Sequence, residues 1–156
     1  MNEIKIQQAT IEDMPEIQRL AQIHFTEAKE EFDNHYDANW PYTKDGEKYY
    51  EDEIKLDRHA TFLALKNNEI IGYLTASTRI DSKFSNLKIA ELDSMFILSE
   101  YRSQGIGSKL ANAFFDWAKE NSAKRLIVQT FSDSDAIRFY EKNGFKDYGA
   151  ELKNDL

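Results

Sequence analysis

The sequence predicts a mixed α/β (α+β) fold in a single domain that spans residues 1–156. Two observations favour this class. Patterns typical of strands and of helices alternate along the chain, and two β-prone runs are separated by a short polar turn. The chain has 41% hydrophobic and 13% aromatic residues, which is enough to build one core at this length.

The first half of the chain predicts a strand, helices and a hairpin. Residues 4–6 are β-prone, and Thr10 is a typical N-cap for a helix that begins just after it. Residues 61–65 and 70–75 predict two antiparallel strands, joined by the turn Lys66-Asn67-Asn68-Glu69.

The second half predicts two units in which a strand leads into a helix. Residues 89–97 are apolar and β-prone, and after a glycine turn Ile106, Leu110, Phe114 and Trp117 recur at helical spacing. Residues 125–130 predict another strand, and the helix that follows it ends at Gly144, a typical left-handed C′ residue.

The glycine turn is the most informative segment for function. It lies at the N-terminus of a predicted helix, where the first backbone N–H groups have no intrahelical partner and the helix dipole is positive. Gly105 and Gly107 lack the Cβ atoms that would keep an anion away from those groups. A dinucleotide fingerprint would need a third glycine where Leu110 stands, and the spacing of a P-loop is absent. The turn therefore predicts a phosphate-binding site of another kind.

Two motifs resemble those of the GCN5-related N-acetyltransferase (GNAT) family. Residues 102–107 read Arg-Ser-Gln-Gly-Ile-Gly, which matches the family pattern Arg/Gln-x-x-Gly-x-Gly/Ala. Residues 133–145 match the later family motif Asn-x-x-Ala-x-x-Phe-Tyr-x-x-x-Gly-Phe except at Asp133, where the family usually has an amide. The resemblance implies a mostly antiparallel central sheet flanked by helices, with a strand-turn-helix site for acyl-CoA.

The resemblance also implies which residues bind acetyl-CoA as co-substrate. The pyrophosphate would lie on the glycine turn, and the pantetheine arm would pair with the backbone of the preceding strand as an additional strand. The later motif would contribute a third set of contacts. The implied cofactor-binding residues are Met95, Phe96, Ile97, Arg102, Ser103, Gln104, Gly105, Ile106, Gly107, Ser108, Asp133, Ala136 and Phe139.

The implied reaction moves an acetyl group from a thioester to an amine, which needs a base and benefits from an acid. Tyr140 matches the motif tyrosine of the family and would protonate the departing thiolate, the alternative being a structural aromatic residue. Asp93 stands where some polyamine-acetylating members place a catalytic glutamate, and Glu91 lies on the same face of the strand. Either carboxylate would take the proton directly or through water, or Asp93 would only bind the cationic acceptor.

An acidic, aromatic-rich region is the predicted acceptor site. Residues 27–53 hold ten acids and three lysines, and five aromatic residues lie between positions 36 and 50. Such a region favours a small cationic amine, polyamine-like or aminoglycoside-like. The candidate substrate-binding residues are Glu27, Glu31, Tyr36, Trp40 and Tyr42.

Other functions stay open for this region and for the chain. The region is alternatively a solvated helix face, an ordinary loop, or a protein-docking surface beside a purely structural turn. The chain is alternatively a non-catalytic acetyl-CoA sensor, or an acetyltransferase for a protein N-terminus or lysine.

Composition excludes several classes of partner. The net charge of −8 argues against nucleic acid, and no apolar run reaches the length of a membrane span, so we expect a cytoplasmic protein. The chain has no cysteine, and its three histidines show no ligand spacing, so we expect no metal. Only residues 146–156 remain for the last strands, which makes a homodimer that completes the sheet plausible.

Overall fold

The computed structural model describes residues 3–132 and 134–156, and it contains one five-stranded sheet with helices on both faces. In chain order, the elements are β1 (Lys5–Gln8), α1 (Met14–Glu31), α2 (Lys44–Lys55), β2 (His59–Lys66), β3 (Glu69–Asp81), β4 (Leu87–Ile97), α3 (Ile106–Glu120), β5 (Arg125–Val128) and α4 (Ala136–Lys142). The sheet order is β1-β2-β3-β4-β5, and every pair is antiparallel except β4 with β5. The predicted mixed and mostly antiparallel fold is confirmed.

The β2–β3 hairpin forms where the sequence predicts it. Asn67 and Asn68 both adopt positive φ angles, of 52° and 67°. Two consecutive left-handed residues suit the right-handed twist of the strands, and asparagine tolerates that conformation better than most residues.

The segment between α1 and β2 is more regular than the sequence suggested. Gly46 looks like a helix breaker in the sequence, yet it lies in the first turn of α2. A Cβ at this position would collide with the carbonyl oxygen of Trp40 and lie 2.9 Å from Pro41 Cα. Thr43 caps the helix, since its Oγ1 accepts the N–H of Gly46 at 3.2 Å. The glycine therefore permits close packing of α2 on the preceding 3-10 turn, and it does not end a helix.

Each face of the sheet has its own core. On the face covered by α1 and α2, the buried residues are Ala9, Ile17, Leu20, Ala21, Tyr50, Leu63, Tyr73 and Phe96. On the face covered by α3 and α4, they include Phe62, Leu74, Leu92, Ile106, Leu110, Phe114 and Tyr140. The predicted stripe of α3 is therefore buried as expected, with Trp117 at its partly exposed margin. In β2, and in β3 from Tyr73 onward, the odd-numbered side chains point to the first face and the even-numbered ones to the second. An irregularity in the pairing reverses this order at the start of β3, where Ile70 packs on the first face and Ile71 on the second.

The end of the chain adds no strand to the sheet. Residues 145–156 have no helix or strand, so the last hairpin, for which the sequence leaves little room, is absent from the described part of the chain. None of the described helices is both long enough and apolar enough to cross a membrane.

Candidate active site

Strand β4 has an open edge in its second half. It pairs with β3 from Leu87 to Ile97, but β5 pairs only with its residues Ile89–Leu92. From residue 93 to residue 97, the β5-facing edge has no strand partner within the described ranges. The predicted backbone contacts for pantetheine, Met95, Phe96 and Ile97, all lie on this edge. An extended ligand can add there as a strand.

A β-bulge marks the point where the edge opens. Leu92 pairs with Ala76 and Ser94 pairs with Thr75, which leaves Asp93 as the extra residue of β4. A bulge redirects the side chain that it contains. Asp93 is exposed, and its carboxylate accepts a hydrogen bond from Ser77 Oγ at 3.1 Å on the α1/α2 face of the sheet.

The glycine turn lies at the other end of the open edge. Gly105 has a φ of +78°, which favours glycine, and a Cβ at this position would meet no atom within 4 Å. A Cβ on Gly107 would lie 3.6 Å from Ile97 and 3.9 Å from Met95, so the first turn of α3 packs beside the open edge. No side-chain hydrogen bond caps α3 in the described structure. The first N–H groups of α3, including those of Ile106 and Ser108, therefore remain available to an anion.

The side chains of the turn fix its shape. Arg102 Nε donates to the carbonyl oxygen of Ile97 at 2.8 Å, and Arg102 NH2 donates to Glu27 Oε2 at 2.6 Å. The side-chain amide of Gln104 donates to the carbonyl oxygen of Glu100 at 3.1 Å. Ser103 has a positive φ of 60°, in the left-handed region that favours glycine. The side chains therefore hold the backbone of the turn in one conformation, and this backbone conformation presents the N–H groups.

Tyr140 lies on the α3/α4 face, in the same core as Leu92. Its residue is 7% exposed, and Met95 and Ile97 pack against that core. Burial raises the pKa of its hydroxyl to about 12, so the group stays protonated at neutral pH. Phe139 and Phe145 contact its ring edge-on and hold it in place.

The second family motif is only partly described. Ala136 begins α4, where its N–H donates to Ser134 Oγ at 3.2 Å. Phe139 lies 4.0 Å from the Cβ position of Gly107, next to the glycine turn. Asp133, which stands in place of the usual amide, lies outside the described residues.

The two predicted carboxylates share the α1/α2 face, but their surroundings differ. Glu91 forms an ion pair with Arg79, the neighbouring basic residue on β3. Asp93 has no such partner in the described structure, and removal from water raises the pKa of its carboxyl to about 6, with a further contribution from the charge of Glu91. Asp93 is therefore the more available of the two to accept a proton.

Two further residues, Glu53 and His59, lie beside Asp93. Glu53 projects from α2 and is 2% exposed, and its Oε1 lies 3.0 Å from His59 Nδ1. One ligand atom of each of these three residues lies within 4.8 Å of the others, so the group can hold a metal ion. Burial raises the pKa of the Glu53 carboxyl to about 9. No sequence pattern predicts the group, because its members come from a helix and two strands and follow no motif.

An aromatic cavity of about 310 Å³ lies on α1 and the connection to α2, in the region where the sequence predicts the acceptor site. Trp40 stacks on Phe25 with ring centroids 5.6 Å apart, and Tyr36 meets Phe25 edge-on at 5.4 Å. Asp37 and His35 complete its lining. Two of the predicted substrate-binding residues, Tyr36 and Trp40, are thus brought together.

The other three predicted substrate-binding residues do not line this cavity. Glu27 is engaged by Arg102, as described above. Glu31 is exposed at the C-terminal end of α1, and Tyr42 is 46% exposed in the 3-10 turn before α2.

Comparison with known proteins identifies the family. The model of the acetyltransferase (GNAT) family matches residues 20–145. An N-alpha-acetyltransferase of Sulfurisphaera tokodaii is 29% identical over 154 residues, which cover 93% of this chain and 81% of that protein. An uncharacterized N-acetyltransferase of Archaeoglobus fulgidus is 28% identical over 88 residues, and the match spans 55% of this chain and 60% of that protein.

A solved structure shares the fold. The aminoglycoside N-acetyltransferase AAC(6')-Iy, solved in complex with CoA, superposes with a TM-score of 0.75 at 18% identity, covering 100% of this chain and 96% of that one. The family match, the open edge of β4 and the glycine turn agree, and the chain belongs to the GNAT family of acetyl-CoA-dependent N-acetyltransferases.

Proposed function

We propose that this protein transfers the acetyl group of acetyl-CoA to the primary amino group of a small cationic amine. The observation that carries the proposal is the open edge of β4, which runs from Asp93 at the bulge to the N-terminus of α3. Along this edge, a phosphate group can lie at the α3 end, an amine at the Asp93 end, and a thioester between them.

The open edge and the glycine turn suit the cofactor. The space in front of Gly105 leaves room for a pyrophosphate near the free N–H groups of α3. The unpaired backbone groups of residues 95–97 suit the amide groups of the pantetheine arm, and a N–H group of this edge would polarise the thioester carbonyl. The full set of cofactor contacts is the one predicted from the sequence, including Asp133.

Asp93 and Tyr140 would act from opposite faces of the sheet. Asp93 takes a proton from the bound ammonium group, and the neutral amine nitrogen then forms a bond to the thioester carbonyl carbon. As the carbon–sulfur bond breaks, Tyr140 donates its proton to the departing thiolate, and the second proton, which the acetylated nitrogen loses, returns to the Tyr140 oxygen directly or through water. The acid and the base do not compete for one position, because the open edge lies between them.

Glu91 has a supporting part in this mechanism. Its carboxylate is paired with Arg79, so it adds negative charge near the acceptor but is less free to take a proton. A water molecule between Asp93 and the amine is compatible with the same arrangement.

The aromatic cavity supports a cationic acceptor. Phe25, Tyr36 and Trp40 line the cavity with aromatic rings, which attract a cation, and Asp37 adds a carboxylate. Polyamine-like and aminoglycoside-like amines both fit this chemistry, and aminoglycoside N-acetyltransferases share the fold. The second candidate is the amino terminus of a protein, which is favoured by the similarity to an N-alpha-acetyltransferase.

Calorimetry with acetyl-CoA tests the cofactor site. We expect saturable binding by the wild-type protein and its loss in a variant that carries Gly105→Val and Gly107→Val, because the side chains would obstruct the turn and strain Gly105. Gly149→Val is the matched control, since Gly149 also has open space around its Cβ position but lies outside the site. No binding by the wild-type protein would contradict the proposal and favour a protein-docking function.

A thiol-release assay then tests the acceptor. We would compare spermidine, an aminoglycoside, a peptide with a free N-terminus and the same peptide with a blocked N-terminus and one lysine. Turnover with the small amines supports the proposal, and turnover confined to a peptide selects the second candidate. Acetyl-CoA binding without turnover on any amine would favour a sensor.

We also propose that the protein is cytoplasmic and forms a homodimer. The dimer is proposed because β5 has a strand neighbour on one side only, and because the tail of residues 145–156 supplies no strand in the described structure.

A further inference from the structure

The group formed by Glu53, His59 and Asp93 lies on the α1/α2 face of the sheet, on the side of the bulge away from the glycine turn. Glu53 reaches the sheet from α2, and the main chain around it is anchored, since Thr61 Oγ1 donates to its carbonyl oxygen at 3.1 Å. His59 begins β2 and pairs across the sheet with Ser77, the residue that donates to Asp93. The three side chains are therefore held by separate, fixed elements.

Buried polar atoms in this group lack partners. Glu53 Oε2 and His59 Nε2 are both inaccessible to solvent, and neither has a hydrogen-bond partner among the described residues. The side chain of Glu53 is 3% exposed and that of His59 is 12% exposed. A buried polar atom without a hydrogen-bond partner is unfavourable, so such atoms call for a ligand. The exposed carboxylate of Asp93 leaves a path from solvent to the group.

We propose that Glu53, His59 and Asp93 bind a divalent transition-metal ion such as Zn²⁺. One imidazole nitrogen and two carboxylate oxygens form a ligand set that suits zinc, cobalt or nickel, and such a site leaves further positions for water. The present spread of up to 4.8 Å between ligand atoms is wider than that of a closed site. Small side-chain rotations, which the exposed Asp93 can make, would close it.

The charges around the group nearly cancel, so the carboxyl groups of Glu53 and Asp93 themselves set the charge that a ligand meets. Asp52 on α2 and Glu91 on β4 add negative charge from both elements, while Arg58 and Arg79 are the basic residues that face it from the connection to β2 and from β3. Tyr49 and Tyr50 cover the group from α2 as neutral side chains. A bound ion would occupy the Asp93 carboxylate, so metal binding should inhibit acetyl transfer. This consequence rests on the proposed function, but the metal site itself does not.

Metal titration of untagged protein tests the site directly. After dialysis against EDTA and removal of the chelator, Zn²⁺ binding is measured by calorimetry, and Co²⁺ binding by its visible absorption. We expect one ion per chain, and at least about a tenfold weaker affinity in Glu53→Gln and in His59→Gln.

His35→Gln is the matched control. His35 and Asp33 form a second histidine–carboxylate pair, with Nδ1 and Oδ1 2.9 Å apart, but the histidine is exposed and no third ligand joins the pair among the described residues. Loss of binding in His35→Gln with retention in His59→Gln, or no stoichiometric binding by the wild-type protein, would overturn the proposal.

Thermal unfolding separates a lost ligand from a lost fold. Variants that fold should melt cooperatively in EDTA, and only proteins with an intact site should be stabilised by added Zn²⁺. If Glu53→Gln fails to fold, His59→Gln and Asp93→Asn carry the same test. Zinc binding by a chain that has no transferase activity in EDTA would contradict the proposed function and support the site. Activity in EDTA by a chain that binds no zinc would support the proposed function and contradict the metal site.

Discussion

Tyr140 combines two properties that a proton donor to a thiolate needs. It is held by the rings of Phe139 and Phe145, and burial keeps it protonated over the physiological range. We expect Tyr140→Phe to lower kcat by ten- to ten-thousandfold, because the ring remains and only the proton is lost. Acetyl-CoA affinity by calorimetry should change less than threefold. A loss of affinity as large as the loss in kcat would point to a structural role.

His24 should make folding stability depend on pH. Its Nδ1 lies 3.3 Å from Tyr73 Oη and its ring stacks on Phe96, and burial lowers its pKa from 6.5 to about 4. Between pH 6.5 and about pH 4, His24 therefore binds a proton in the unfolded chain but not in the folded chain. The free energy of unfolding should fall by up to about 3 kcal/mol as pH drops through this window.

The measurement is urea unfolding at pH 7, pH 5.5 and pH 4.5, for wild type and for His24→Gln. Subtracting the variant isolates His24 from the carboxyl groups that titrate in the same range, Asp93 among them. Parallel pH dependence in the two proteins would show that His24 does not contribute.

Helix α2 depends on the absence of a side chain at Gly46. We expect Gly46→Ala to destabilise the protein by about 3 kcal/mol, because the added methyl group collides with the backbone of Trp40 and Pro41. Alanine otherwise favours a helix over glycine, so propensity alone predicts the opposite sign. Urea unfolding decides between the two, with Gly149→Ala as the control in open space. An unchanged or raised free energy of unfolding would mean that the 3-10 turn of Trp40 and Pro41 shifts to make room for the methyl group.

The elements that could be predicted from the sequence are those with local signals. The stripe of α3, the asparagine turn of the hairpin and the glycine turn are each specified within a few residues, and so were found. The sequence did not predict that a helix, α2, runs through Gly46. The reason for glycine at this position is its contact with Trp40, a neighbour that only the tertiary structure shows. Glu53 and His59 were missed for the same reason, since only the packing of α2 on the sheet brings them to Asp93.

For the whole molecule, the uncovered edge of β5 predicts self-association. Leu126 on β5 is 36% exposed, and Tyr148 and Leu152 in the tail are 85% and 92% exposed. We expect light scattering after gel filtration to give twice the monomer mass, and Leu126→Glu to shift the protein towards the monomer. A wild-type monomer at all concentrations would contradict the dimer, while leaving the active site, which lies within one chain, unaffected.

The bulge in β4 also limits how this protein can change during evolution. Replacing Asp93 alters one side chain, but deleting a single residue between Ile89 and Ile97 would merge the two halves of the strand into one register. Leu92 or Phe96 would then move from its own core to the opposite face of the sheet, and the open edge would shift against the glycine turn. Relatives with other acceptors are therefore expected to differ by substitution in this strand while keeping its length, and insertions should be confined to the connection between α1 and α2.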